Sequence, residues 1–145
     1  MDISWIQALL FAFCAFLFSD VGALGPTIGT FTFSRPIVAS LIVGLVLGDI
    51  PTAIMVGAAI QVVYIALVTP GGTMSADLRA VSYIGIPLAV VAVKSAGLSA
   101  DSTMAAGLAV SIGTLVGSIG TLMYYMTATL NIALPSYAWK GVDKY

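Results

Sequence analysis

The chain has 145 residues, of which 60% are hydrophobic and 8% are charged, and its formal net charge is −1. Soluble domains carry about 25% charged residues, so this composition, with a mean hydropathy of +1.11, predicts an integral membrane protein embedded in a lipid bilayer. The charge balance gives no basic surface for nucleic acid, and the absence of histidine excludes a histidine metal site, a histidine base and a phosphohistidine within this chain.

The first third of the chain holds one apolar run and one stretch rich in helix breakers. Residues 3–19 form a run of 17 residues, just long enough to cross a membrane as a helix. No positively charged segment of the kind found in signal peptides precedes this run, so we expect it to be retained. Residues 20–34 contain three glycines and a proline. We therefore predict a loop there, with at most a short extended or interfacial piece at residues 30–33.

Two short apolar runs follow, and both are interrupted. Residues 36–48 number 13 and residues 51–68 number 18, so as helices they reach about 20 Å and about 27 Å, against roughly 30 Å of hydrocarbon. Broken backbone at membrane depth must be packed inside protein or line a wet cavity. Short apolar segments interrupted by glycine and proline are typical of transporter binding sites. Residues 35–79 are therefore predicted to form the substrate-handling core.

Asp49 and Gln61 are polar residues inside this core, and each allows two interpretations. Asp49 can cap the helix that begins at Ile50, which the spacing favours, or it can face a substrate or coupling path. Gln61 can form hydrogen bonds between helices, with Gly57 allowing close approach, or its amide can bind a neutral polar solute beside Tyr64. The sequence does not separate these two roles of Gln61.

A second polar group surrounds the break after the second short run. The segment reads TPGGTMSADLR, and Asp77 and Arg79 are two residues apart. On a helix these two side chains would not face each other, so each is expected to find another partner, water or a ligand. Hydroxyl groups, a carboxylate and a guanidinium at a Gly-Gly hinge suit a hydroxyl-rich solute. The candidate substrate-binding residues are Asp49, Gln61, Thr69, Thr73, Ser75, Asp77 and Arg79.

The remaining apolar runs are predicted to be membrane helices. Residues 78–93 are interrupted by Pro87, which is expected to bend the helix. Residues 104–134 are long for one span, so this helix is expected to tilt or to extend past the bilayer. Small residues repeat every fourth position along it (Ala105, Ala109, Gly113, Gly117 and Thr121), which predicts a close helix–helix contact. The basic residues after Pro135 favour a cytoplasmic end.

The pattern from Arg35 to Gly72, RPIVASLIVGLVLGDIPTAIMVGAAIQVVYIALVTPGG, resembles the IIC subunit of the mannose/fructose/sorbose class of bacterial sugar phosphotransferase systems. The resemblance runs through most of the chain. It implies an all-α membrane protein with several spans, re-entrant hairpins and a moving transport core, located in the bacterial inner membrane. The chain resembles the N-terminal portion of such a permease, as one transmembrane domain over residues 1–145.

The resemblance also implies partners and a substrate class. A IID membrane subunit would complete an oligomeric complex, and cytoplasmic IIA and IIB subunits would carry phosphate to the incoming sugar. The substrate class that the resemblance implies is a hexose or an amino sugar. Many mannose-type relatives have a glutamate where this chain has Gln61, and this difference favours an amino or N-acetylated hexose over mannose.

A permease core and an assembly subunit are the two functions that the sequence leaves open. The permease core would bind the sugar through the candidate residues, with no cofactor, no metal and no catalytic residue of its own. The alternative is a non-transporting assembly subunit, supported by the stripe of small residues and the short length. Whether such a permease subunit counts as an enzyme is left undecided by the sequence.

Overall fold

The computed structural model describes residues 2–19, 22–65 and 76–142, and within these ranges all regular structure is helical. The described residues form six helices: α1 (Trp5–Leu17), α2 (Gly25–Phe33), α3 (Pro36–Leu47), α4 (Ile50–Tyr64), α5 (Leu78–Ser95) and α6 (Thr103–Val142). By length and composition α5 and α6 can each cross a membrane, and the bent pair α2–α3 can form a third span. The prediction of an all-α membrane protein with short interrupted helices is confirmed.

α1 is shorter than the run from which it was predicted, and its polar start is tied to the protein. Ser4 caps the helix by accepting from the backbone of Gln7, whose side chain accepts in return from the Ser4 backbone. The Gln7 amide also donates to the Val46 carbonyl near the end of α3, at 2.9 Å. This bond pairs one of the carbonyls that a helix end leaves free.

The loop predicted for residues 20–34 is wrong over most of its length. Residues 25–33 form a widened, π-helical α2, because a proline within the first turn removes only an N–H that has no partner there. Gly25, with a φ of +63°, supplies the left-handed backbone at the start. Gly29 lets α2 approach the backbone of Phe18, where an added Cβ would lie 3.0 Å from the carbonyl oxygen.

A sharp bend of 81° separates α2 from α3. We call residues 33–35, where the chain turns, the joint. The Ser82 hydroxyl donates to the Ser34 carbonyl at 2.7 Å, and the Tyr83 hydroxyl donates to the Phe33 carbonyl at 2.8 Å. The Ser34 hydroxyl donates in turn to the Phe18 carbonyl at 3.1 Å. Ser34 is fully buried, so side chains of the protein replace the hydrogen bonds that the bend removes.

α3 and α4 form a tight antiparallel hairpin. Gly48 ends α3 with a φ of +73°, and Asp49 caps α4 at once, as the sequence predicted. The helices touch because Gly57 has no side chain, and a Cβ there would lie 2.3 Å from the Cβ of Ser40. The helices have 12 and 15 residues, about 18 Å and 22 Å, too short to cross the hydrocarbon alone.

α5 contains a π-helical turn over Val81–Gly85, directly before the Ile86-Pro87 step. Proline in a helix lacks a donor and collides with the carbonyl four residues earlier. The backbone N–H of Ile86 bonds instead to the Val81 carbonyl, five residues back. The interruption predicted at Pro87 is therefore a widened turn within a helix of 18 residues.

α6 has 40 residues and continues through Pro135 to Val142, beyond the predicted end at Leu134. Its first half packs on α4 and α5, and its second half projects away with exposed apolar side chains such as Leu130 and Ile132. The predicted small-residue stripe is a contact surface: a Cβ on Gly113 would lie 2.9 Å from Ile60, and one on Gly117 would lie 2.7 Å from the Tyr64 hydroxyl. The stripe thus packs inside this chain.

Candidate functional site

Asp49 lies at the turn between α3 and α4, and its carboxylate is fully used by the protein. It accepts from the Thr52 backbone at 3.2 Å and from the Thr52 hydroxyl at 2.9 Å. The Lys94 ammonium, at the end of α5, forms an ion pair with the same carboxylate. The hydrogen bond that Lys94 donates within this ion pair lowers the pKa of Asp49 below its ordinary value, and partial burial of the carboxylate acts in the opposite direction. Capping, the interpretation favoured by the sequence, is confirmed.

Asp77 and Arg79 bind each other, so the expectation that each needs another partner is wrong. Asp77 is the cap of α5 rather than a helical residue, with φ −83° and ψ 96°. From that position it accepts from the backbones of Arg79 and Ala80 and reaches the Arg79 guanidinium, with Nε to Oδ1 at 3.1 Å and Nη2 to Oδ2 at 3.3 Å. The helical spacing rule does not hold for a residue whose backbone is extended.

Gln61 differs from Asp49 and from the Asp77–Arg79 pair, because its side-chain amide oxygen accepts no hydrogen bond from the described residues. The Oε1 atom is buried and has no hydrogen-bond partner among residues 2–19, 22–65 and 76–142. Leaving a buried acceptor unpaired costs about 1–3 kcal/mol. The part of the chain that the structure describes therefore gives this oxygen no interhelical hydrogen bond. Any hydrogen-bond donor to this oxygen has to come from outside those residues.

Packing on α6 brings Gln61 and the Asp77–Arg79 pair to the same end of the bundle. Tyr64, one turn after Gln61, donates to the Gly113 carbonyl at 3.5 Å. The Asp77 backbone donates to the Gly117 carbonyl, one turn further along α6, also at 3.5 Å. We call this region, with Gln61, Asp77 and Arg79, the polar end.

Asp49 lies at the opposite end of the bundle. It pairs with Lys94, which follows the cap residue Asp77 by 17 positions along α5, a distance of about 25 Å. Three other predicted residues, Thr69, Thr73 and Ser75, lie outside the described residues. Of the seven predicted site residues, Gln61, Asp77 and Arg79 thus lie towards one end of the described bundle and Asp49 towards the other.

An open groove of about 990 Å³ between α1, α5 and α6 borders the polar end. Asp77 and Arg79 are among its lining residues, but the lining is largely apolar, formed by residues such as Phe16, Leu88 and Met123. A carbohydrate needs several polar groups around it, whereas this lining fits acyl chains or an apolar helix. Across the described ranges no cluster of three or more potential metal-binding side chains occurs.

Three buried residues that hold the bend between α2 and α3 were not predicted from the sequence: Ser34, Ser82 and Tyr83. They are at most 1% exposed, and they carry the hydrogen bonds of the joint. The available signal was the pair Ser82-Tyr83 inside an otherwise apolar run, because hydroxyl groups in a membrane helix need partners. Their partner, the bend after Phe33, could not be recognised while residues 20–34 were interpreted as a loop.

Comparison with known proteins gives a consistent family. The family model described as the sorbose-specific IIC component of the phosphotransferase system matches residues 5–145. The chain is 25% identical over 144 residues to the sorbose-specific EIIC component of Klebsiella pneumoniae, covering 99% of this chain and 49% of that protein. It is 26% identical over 143 residues to the mannose-specific EIIC component of Escherichia coli strain K12, covering 99% of this chain and 48% of that protein.

The same alignments show what fraction of each relative corresponds to this chain. The chain spans about half the length of the curated relatives that it matches. No solved structure matches it significantly.

Proposed function

We propose that this chain, which belongs to the sorbose-specific IIC family of phosphotransferase system components, forms the sugar-binding core of a membrane permease. The substrate is a hexose, with mannose and sorbose, the sugars named for its relatives, as the first to test. The sugar is carried across the bacterial inner membrane by a multi-pass complex and phosphorylated by partner subunits. A IID membrane subunit and the IIA and IIB phosphocarriers are the partners that this function requires.

The amide oxygen of Gln61, which the described residues leave unpaired, is the observation that carries the proposal. It is a buried acceptor at the polar end of the bundle, and a sugar hydroxyl is a donor of the right kind for it. The guanidinium of Arg79 offers donors beyond those that Asp77 occupies. A neutral amide that accepts from hydroxyl groups supports a neutral sugar as well as an amino sugar.

Binding of radiolabelled mannose and sorbose to the purified protein in nanodiscs tests the proposal, together with uptake in cells carrying the complete set of phosphotransferase subunits. Gln61→Met keeps the shape of the side chain and removes the amide, so it should weaken binding by about 2- to 10-fold, the worth of one neutral hydrogen bond. Gln7→Met is the matched control, since the Gln7 amide bonds only within the protein. Equal sugar affinity in the parent and Gln61→Met would reject the site.

The assembly subunit remains the second candidate, and one observation favours it. The second half of α6 exposes apolar side chains around its whole circumference, as expected of a helix that packs on lipid or on another chain. If assembly is the function, charged substitutions at Leu130 and Ile132 abolish complex formation, while Gln61→Met and Asp77→Asn have no effect on uptake. If the permease function holds, Gln61→Met lowers uptake in an intact complex.

A further inference from the structure

The joint between α2 and α3 connects the two elements that carry the polar end. On one side, Ser82 and Tyr83 follow Arg79 on α5 by three and four residues, so they lie one helical turn from the Asp77–Arg79 pair. Their hydroxyls hold the Phe33 and Ser34 carbonyls at 2.8 and 2.7 Å. The position of α5 is therefore fixed to the start of α3.

On the other side, the start of α3 is fixed to α4. The Pro36 carbonyl oxygen lies 2.8 Å from the place where a Gly57 Cβ would be, so the two backbones are in contact. Gln61 follows Gly57 by one turn of α4 on the same face. The contacts thus run from Arg79 through Ser82 and Tyr83 to the joint, then through Pro36 and Gly57 to Gln61.

The π-helical turn makes the first of these contacts possible. It adds one residue to the turn Val81–Gly85, and Ser82 and Tyr83, the residues that it presents to the joint, are 0% and 1% exposed. The Tyr83 ring also stacks on Phe18, with centroids 5.6 Å apart, and Phe18 stacks on Phe33 at 4.8 Å. π-helical turns of this kind occur frequently at functional sites.

We infer that Ser82 and Tyr83 are positioning residues of the sugar site, which set the distance between Gln61 on α4 and the Asp77–Arg79 pair on α5. They do not touch the sugar themselves. Misplacing one binding group by about 1 Å can cost two orders of magnitude in a site that depends on several groups at once. The inference rests on the proposed function, because it concerns residues that fix the geometry of the proposed sugar site.

A double-mutant cycle on sugar binding tests the inference. The combined variant Ser82→Ala/Tyr83→Phe should weaken mannose or sorbose binding by about tenfold. Gln61→Met should then have less effect in that background than in the parent, because the amide no longer meets its hydroxyl. Ser82→Thr keeps the hydroxyl and should restore the affinity of the Ser82→Ala variant. A residue that only stabilises the fold would give independent, additive losses.

Ser40→Ala is the matched control. Ser40 is as fully buried as Ser82, but its hydroxyl bonds to Ile37 within α3 at 2.8 Å. Deleting it removes a buried hydroxyl without cutting the joint. Sugar affinity and the effect of Gln61→Met should stay at parent values in this variant. A loss equal to that of Ser82→Ala would overturn the inference.

A distance measurement that needs no sugar separates the inference from the proposed function. Spin labels at Val62 on α4 and Ile84 on α5, both exposed, report the spacing of the two helices in a Cys14→Ala background. The distance distribution should broaden or shift in Ser82→Ala/Tyr83→Phe and stay unchanged in Ser40→Ala. An unchanged distribution in the double variant overturns the inference. Absent sugar binding by a parent with the expected distances overturns the proposed function.

Discussion

The chain bends at both ends of α3, and the backbone groups freed at the two bends are hydrogen-bonded in different ways. At the turn between α3 and α4 the chain reverses through Gly48 and Asp49, and the free N–H of Thr52 is satisfied three residues away by the Asp49 carboxylate. At the joint, the free carbonyls of Phe33 and Ser34 are satisfied by hydroxyls 50 and 48 residues away in the chain. One bend is closed by local chemistry and the other by tertiary structure.

The difference shows where a membrane protein can place irregular backbone. At the turn between α3 and α4 the polar side chains are partly exposed. Lys94, which forms the ion pair with Asp49, has a side chain that is 41% exposed. At the joint, Ser34 is buried together with the side chains of Ser82 and Tyr83, whereas Phe33 and Arg35 are partly exposed. The Phe33 and Ser34 carbonyls therefore depend on the hydroxyls of Tyr83 and Ser82 for their hydrogen bonds. A broken helix whose free carbonyls are bonded by other side chains in this way can lie at membrane depth.

Alanine in place of the hairpin glycines should give the largest effects, and should be worse at the joint end than at the turn end. A Cβ on Gly57 would meet Ser40 at 2.3 Å and the Pro36 carbonyl at 2.8 Å, whereas one on Gly44 would meet the Ile50 backbone at 2.8 Å. Overpacking should lower the free energy of unfolding by about 3 kcal/mol for Gly57→Ala and by about 1–2 kcal/mol for Gly44→Ala.

Unfolding by SDS in mixed micelles, followed by circular dichroism, measures both variants. Gly107→Ala is the control, since nothing lies within 4 Å of a Cβ there, and alanine favours a helix over glycine. Equal losses of unfolding free energy in Gly57→Ala and Gly44→Ala would show that both ends of the hairpin tolerate an added methyl group equally, and that the joint end is not the more tightly packed.

Removing the tyrosine hydroxyl at the joint should give the next largest effect. Tyr83→Phe leaves the Phe33 carbonyl without its donor and should lower the free energy of unfolding by about 1–3 kcal/mol, the usual cost of a buried unpaired group. Tyr124→Phe is the control, because Tyr124 is 39% exposed on α6. A neutral Tyr83→Phe variant would show that water reaches the joint.

Substitutions at Asp49 should distinguish capping from charge at the turn. Asp49→Ala loses the cap of α4 and should cost about 1–2 kcal/mol in the free energy of unfolding. Asp49→Asn keeps an equivalent cap and loses only the ion pair with Lys94, so it should cost about 1 kcal/mol or less. If both variants lose sugar uptake equally while remaining folded, Asp49 has a role in transport beyond capping.

The smallest effect is expected for Lys94→Met, which removes the ion pair alone. The loss should be about 0.2–1 kcal/mol and should shrink at high salt. Because Lys94 lowers the pKa of Asp49 from its ordinary value of 3.8, the parent's advantage is fully present above that pH and is lost as pH falls through the lowered pKa. Unfolding measured from about pH 3 to pH 7 checks this, and a difference that grows on acidification would contradict it.

Local rules account for the features that could be predicted from the sequence. Gly48 as a helix end and Asp49 as a cap follow from residue chemistry within four positions, and the contact stripe on α6 follows from its period of four. These features required no knowledge of which helices are neighbours.

The features that escaped prediction depend on tertiary neighbours or on unusual backbone. α2 forms although its sequence is rich in breakers, because Gly29 allows it to lie against Phe18. The Asp77–Arg79 pair depends on the extended backbone of Asp77. The joint depends on two hydroxyls nearly 50 positions away, and no local pattern encodes such a pairing.

The accessibility of residue 34 in a lipid bilayer shows whether the bend between α2 and α3 is enclosed by protein. A cysteine replacing Ser34, in a Cys14→Ala background, is close in size to the native side chain and reports on the joint. We expect it to react with neither a water-soluble maleimide nor a lipid-dissolved thiol reagent, while a cysteine at the exposed Asp101 reacts readily with the maleimide. Reaction of the two cysteines with the maleimide at similar rates would instead show that the joint is an ordinary surface loop.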